Sequence, residues 1–412
     1  MNKDVMGVQE VSPGYEFVAE NPAVPVGYKQ TEMGVIPENW EGTLLEKVTT
    51  AVASGRSKSN QAYGSYPVYG STGVIGYSSE PQYEGTAILV ARVGANAGKL
   101  NKVSGKYGVT DNTIILRFSE AVETGFVWKS LELKRLNNLV FGSGQPLITG
   151  SQLKALTIAV PPLPEQRAIA TALSDVDALL EELDRLIAKK RDIKQAAMQQ
   201  LLTGETRLPG FEGEWEQVEL GEVTDRCTSG ATPYRGRPDF YKGNIRWVSS
   251  GELNYGVIND TNEHISLEAV RSANLTIHPA GTFLMAITGL EAAGTRGACG
   301  IVGKPSATNQ SCMAIYPTKK LYTMYLFHYY VFRGDALAFK YCQGTKQQSY
   351  TAGLVKKLPI SLPPSVEEQR AIAANLSDMD TEIQTLEQRR NKTAELKQGM
   401  MQELLTGRTR LV

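Results

Sequence analysis

Cysteine and histidine are scarce in this 412-residue chain, and net charge is absent. The four cysteines, Cys227, Cys299, Cys312 and Cys342, all fall in the second half, with no C-x-x-C pair and no histidine at metal-ligand spacing. That excludes a disulfide framework or a zinc ribbon. The three histidines, His264, His278 and His328, are equally dispersed, so no metal site is expected. No apolar run approaches the roughly 18 residues of a membrane span. The start, MNKDVMGVQE, lacks a basic stretch leading into an apolar one, so a cytoplasmic location without membrane contact is expected. Lys and Arg number 43 against 43 Asp and Glu, which argues against a simple polybasic nucleic-acid binder. Catalytic signatures are missing too. Gly94-Ala-Asn-Ala-Gly98-Lys99-Leu100 is one residue short of a phosphate loop and lacks its final hydroxyl. Backbone amides near Lys99 are expected at most to cradle a phosphate.

A duplication organises what is there. The chain is too long for one ordinary core, so at least two domains are expected. Glu165–Leu208 aligns with Glu368–Leu411 at a constant offset, and 23 of 44 positions are identical, so one ancestral unit was copied. Upstream the likeness weakens, with TDNTIIL (110–116) matching TNQSCMAI (308–315), where Asn112 and Asn309 look equivalent and structural. Each unit is a variable segment followed by a near-constant one. The boundaries read as an extension over 1–26, variable segments over 27–157 and 211–357, and constant segments over 158–210 and 358–412.

The constant segments read as long helices entered through a Pro-Pro pair and ended near Gly204 and Gly407. Ile169, Leu173, Val176, Leu180, Leu183 and Ile187 recur at spacings of 4 and 3, and Ile372, Leu376, Met379, Ile383 and Leu386 repeat that register. Such spacing is a coiled-coil seam. In both helices an acidic half precedes a basic half; antiparallel pairing sets opposite charges side by side and parallel pairing sets like beside like. The seam and the charges predict an antiparallel pair of rods about 55 Å long.

The variable segments carry short apolar runs, TAILVARVG (86–94), NTIILRF (112–118), NIRWV (244–248) and GTFLMAITG (281–289), between Gly, Ser, Asn and Tyr. These read as strands, with a helix following near 124–140 and 320–340. The fold class is therefore α+β: two pseudo-symmetric mixed α/β domains separated in sequence by two long helices forming an antiparallel coiled coil. Residues 40–157 hold 12 Lys and Arg against 8 Asp and Glu, and residues 215–357 hold 15 against 11, a mildly basic balance that whole-chain neutrality conceals.

YKQTEMGVIPENW, YPVYGSTGVIGY and the paired PPLPEQRAIA and PPSVEEQRAIA elements resemble the specificity subunits of Type I restriction-modification systems over about residues 27–412. Pro363–Glu367 is one residue longer than its counterpart, leaving the second helix entry open. The resemblance implies a non-catalytic subunit whose two target recognition domains read the halves of an asymmetric, interrupted double-stranded DNA sequence. It implies two methylase subunits bound by the helices, which space the half-sites, and motor-nuclease subunits in the full complex. S-adenosylmethionine, ATP and magnesium would sit on those partners, and no cofactor on this chain. The chain lacks the Asn/Asp-Pro-Pro-Tyr/Phe motif of base methylation, in agreement. The alternative is a two-domain ligand-binding or enzymatic protein unrelated to DNA. Polar side chains in Gly-rich loops are the candidate readers: Lys58, Tyr69, Ser71, Arg92, Asn96, Lys99 and Gln145 in the first domain, and Tyr234, Arg235, Ser249, Arg296, Gln310 and Gln347 in the second.

Overall fold

The computed structural model describes residues 24–58, 64–140, 146–290, 295–342 and 348–411. The chain divides into two compact units, residues 1–181 with 391–412, and residues 182–390. Each unit holds one variable-segment domain, the first half of the helix that follows it and the second half of the other helix.

In the first unit, strands Thr49–Ser54, Thr113–Phe118, Ala87–Ala91 and Leu100–Val103 form an antiparallel sheet in that order. All five residues of Ala87–Ala91 are buried, as expected of a central strand. A second sheet orders Gly73–Ser78, Tyr66–Gly70, Lys106–Val109 and Tyr83–Glu84, with one parallel pair. Helix Thr124–Leu133 covers the main core with Phe126, Val127 and Leu131. Entry and exit pair as a ribbon, Glu41–Leu44 with Thr157–Val160.

The second unit repeats this plan with additions. Its main sheet orders Thr224–Ser229, Cys312–Pro317, Phe283–Ala286, Cys299–Val302 and Gly256–Ile258. The last strand is parallel to its neighbour and covers the sheet edge. A three-stranded sheet joins His264–Ile265, Ile245–Val248 and Ser306–Thr308. The covering helix, Thr323–Tyr341, is nearly twice as long as its counterpart. The ribbon is Glu216–Glu219 with Pro359–Leu362.

The constant segments are helices Leu163–Thr203 and Val366–Leu404. These starts coincide in the repeat alignment, so the extra residue is absorbed before the second helix, where Ser365 Oγ caps the Glu368 amide at 3.1 Å. Ile169, Leu173, Leu183, Ile187, Ile372, Leu376 and Ile383 are buried. Val176, Leu180, Met379 and Leu386 are half-buried. The helices run antiparallel within each unit. In the second, Lys190 meets Glu382 at 2.7 Å and Arg390 meets Asp184 at 3.0 Å; in the first, Lys397 meets Asp177 at 2.8 Å. These are the acidic-to-basic pairings that the charge order predicts.

At the junction of domain and rod the copies differ chemically. Buried Lys129 bonds Asp177 in the first unit, and at the same helix position in the second stands buried His328, its Nε2 2.9 Å from Ser377 Oγ. Burial pushes His328 down to about 4, and likewise His278, whose Nδ1 meets Tyr316 Oη. A depressed folded-state value means that the unfolded chain takes up protons first. Stability held above about pH 6.5 is then lost as pH falls toward 4, by about 2 kcal/mol per histidine at pH 5. Thermal unfolding between pH 7 and 5 should show this loss in the second unit. His328→Gln should remove about half of it; an unchanged slope would contradict the assignment.

Candidate nucleic-acid interface

The pairing register places four loops of the first unit at one end of its main sheet. Ser54 lies opposite Ile114, Ala91 opposite Thr113, and Val90 opposite Leu100. The chain leaving Thr49–Ser54 carries Arg56 and Lys58, that leaving Ala87–Ala91 carries Arg92, Asn96 and Lys99, and that entering Thr113–Phe118 carries Asp111 and Asn112. Hairpin turn Ser71-Thr72 joins them, because Ser71 Oγ donates to the Asn112 carbonyl at 2.8 Å. Arg56, Lys58, Ser71 and Asn112 line one concavity of about 580 Å³. Among the described residues no carboxylate pairs with Arg56, Lys58 or Lys99. At the opposite end of the sheet stands the rod, where Gln166 accepts from the Glu123 amide at 2.8 Å.

The second unit gathers the same loops at the same sheet end. Ser229 faces Met313, Ala286 faces Cys312, and Met285 faces Cys299. Its basic groups, however, are largely engaged. Arg235 forms a two-point bond to Glu263, with distances of 2.5 and 2.8 Å, and lies over the rings of Tyr241 and Trp247. Arg296 Nε bonds Asp335 at 3.1 Å. Exposed Tyr234 and Gln310 remain open, with the Gln310 amide oxygen accepting from Thr232 Oγ1. At the far end Gln369 accepts from the Tyr322 amide at 2.8 Å, as Gln166 does in the first unit.

A family model described as the Type I restriction modification DNA specificity domain matches residues 37–190 and 212–396, which is most of the chain. The chain belongs to the Type I DNA specificity family. The specificity subunit of the Type I restriction enzyme MjaVIII of Methanocaldococcus jannaschii is 24% identical over 345 residues, 79% of each chain. The fold matches the S subunit of a Type I system from M. genitalium with a TM-score of 0.64 at 15% identity, over 89% of this chain and 96% of that one. It also matches, with a TM-score of 0.54 at 17% identity, a chain solved for complex assembly and conformational transition of the type I system, over 91% and 99%. None of these matches favours a ligand-binding or enzymatic alternative.

Within this specificity subunit several candidate readers turn out to be engaged in holding the fold. Tyr69 lies inside strand Tyr66–Gly70 rather than in a loop, and its ring meets Tyr107 edge-on at 6.2 Å. Ser249 caps the turn Ser250–Glu252, its Oγ 2.7 Å from Glu252 Oε2. Arg235 spends its fork on Glu263. The amide cradle near Lys99 is also corrected: the amides of Gly94, Ala97, Gly98 and Lys99 all donate to carbonyls of Pro146, Gly94, Ala91 and Asn96. Gly98 is there for close approach, since a Cβ on it would come within 2.5 Å of the Asn137 nitrogen. Asn112 and Asn309 are not equivalent. The turn amide Thr113 bonds the Thr110 carbonyl and Cys312 bonds that of Asn309, so Thr110 matches Asn309. Arg92 is half-buried, reaching Ser54 Oγ at 3.4 Å, and Asn96 is half-buried beside exposed Lys99. Gln145 and Gln347 lie outside the described residues.

The repeated motifs hold buried ion pairs that composition and loop polarity do not reveal. Glu165, wholly buried, accepts Arg410 Nε at 2.6 Å, Arg410 Nη2 at 2.8 Å and the Trp40 indole at 3.0 Å. Glu368 accepts Arg207 Nε at 2.5 Å and Nη2 at 2.7 Å, with the guanidinium against Trp215. Each glutamate opens an EQR motif, and each arginine closes the constant segment of the other copy. The duplicated TRL ending and the equal spacing from Thr31 to Trp40 and from Thr206 to Trp215 were the available signals.

Proposed function

We propose that the loop ends of the two main sheets each read one half of an asymmetric, interrupted double-stranded DNA target, and that the paired helices hold two methylase subunits. The single observation that supports this reading most is the recurrence of the same loop cluster, at the sheet end away from the rod, in both copies. Two similar but chemically distinct clusters suit two different half-sites. The chain itself performs no catalysis. Methylases bring S-adenosylmethionine and adenine methylation, and motor-nuclease subunits with ATP and magnesium complete the restriction complex. Arg56, Lys58 and Lys99 suit phosphates, while Ser71, Asn112, Tyr234 and Gln310 suit base edges.

The helices then set the gap between half-sites. Seven residues inserted between Glu181 and Glu182, with seven more between Arg390 and Asn391, keep the heptad and leave each unit's own contacts intact. At 1.5 Å per residue both helices lengthen by about 10 Å, so the gap should grow by roughly three base pairs. Sequencing methylated bases in cells that carry the variant with its methylase measures this. The half-sites should keep their identity, and an unchanged gap would overturn the spacing role.

A further inference from the structure

Hairpin Tyr66–Gly70 to Gly73–Ser78 contains an irregularity beside the basic concavity. Val68 pairs with Gly76 and Tyr69 with Val74, so Ile75 has no partner across the ladder and is a bulged residue. A bulge re-aims a side chain, and such irregularities recur beside functional sites. Here it turns Ile75 over Gly70, where a Cβ would meet its Cδ1 and Cγ2 at 3.1 Å, and into the lining of the concavity. Ile75 is the only large apolar side chain among the described residues lining it, stays 41% exposed and belongs to none of the hydrophobic clusters. Around it stand Arg56, Lys58, Ser71, Asn112 and one carboxylate, Asp111. An isoleucine held open among two cations, one carboxylate and hydrogen-bonding groups suits a surface that is anionic at its rim, carries donors and acceptors, and is locally apolar. The major groove offers that combination at thymine, whose 5-methyl group is the apolar feature of its edge.

We propose that Ile75 is a specificity-determining residue that contacts the methyl group of a thymine in one half-site. This rests on the reading of the chain as a DNA specificity subunit. Flanking Arg56 and Lys58 bring phosphates to the rim of the concavity, and Ser71 and Asn112 are placed to bond the neighbouring base edge.

Replacing thymine by uracil removes that methyl and leaves every hydrogen-bonding group in place. The full chain, co-expressed with its methylase, is titrated with its natural target and with targets carrying uracil at single thymine positions. One position should weaken binding about three- to fivefold, the worth of one buried methyl. Ile75→Ala should bind the thymine target correspondingly less well and be indifferent to uracil there. Val74→Ala, on the same strand but outside the concavity, should keep the uracil effect and shows that the hairpin tolerates truncation. A complex with no preference for its target over scrambled DNA would defeat the DNA-reading function itself. A preference that is intact but insensitive to uracil at every thymine, or a uracil effect that survives in Ile75→Ala, would overturn the role of Ile75 alone.

Discussion

Arg410→Met should destabilise the first unit by about 3–5 kcal/mol, although residue 410 is far in sequence from everything that unit contains before the second helix. The substitution strands the Glu165 carboxylate, which is wholly buried and would keep only the Trp40 indole as partner. An uncompensated buried charge is among the costliest single defects. Adding Glu165→Gln to the same chain should recover much of the loss, because the stranded charge rather than the missing attraction dominates. Arg207→Met should act on the second unit in the same way through Glu368. Denaturant unfolding measures these variants. A loss below about 1 kcal/mol for Arg410→Met, or a double variant worse than the single one, would show that the latch does not hold the domain.

A fragment of residues 27–214 should self-associate as a twofold dimer at micromolar concentration. In the whole chain Met401, Leu404, Leu405 and Arg410 are supplied to the first unit by the last segment of the chain. The fragment lacks them but carries their repeat equivalents, Met198, Leu201, Leu202 and Arg207, unsatisfied. A second fragment can fill the vacant position, Arg207 reaching the other copy's Glu165 and Lys194 its Asp177. Apolar side chains at such seams contribute about 1.5–3 kcal/mol each when fully buried, enough to exceed the several kcal/mol that association costs. Matching acidic-then-basic order permits only antiparallel pairing, and a self-complementary contact closes after two chains. Sedimentation equilibrium decides between this dimer and a well-folded monomer, which would show that the seam is not an autonomous interface.

The rods were legible because helical periodicity and charge order are local signals that a duplication writes twice. Strands were legible for a similar reason: Ala87–Ala91 and Phe283–Ala286 are continuous apolar runs bounded by glycine and polar residues. The readers were less so. Arg235 looked free because its partner, Glu263, lies 28 residues away, and nothing local announces the pair. Ser249 carried its own signal, since Ser-x-x-Glu is a capping box, and the cap outweighed the base-reading interpretation. Ile75 was invisible because a bulge is a property of two strands in register, which neither polarity nor local pattern encodes. EQR and TRL lie at the two ends of the aligned repeat, and the folded arrangement shows why both recur: the glutamate of one copy binds the arginine that ends the other.

If each recognition domain reads its own half of the target, replacing one domain by the other should be visible in the methylated sites of a single chimaera. In that chain Glu41–Val160 replaces Glu216–Leu362, so that both ribbon-bounded domains are the first. With its methylase, the chimaera should modify a symmetric target made of two inverted copies of one half of the parent sequence, with the gap unchanged. Retention of the parent's target, in a chimaera that folds and methylates DNA, would show that the domains do not each read one half.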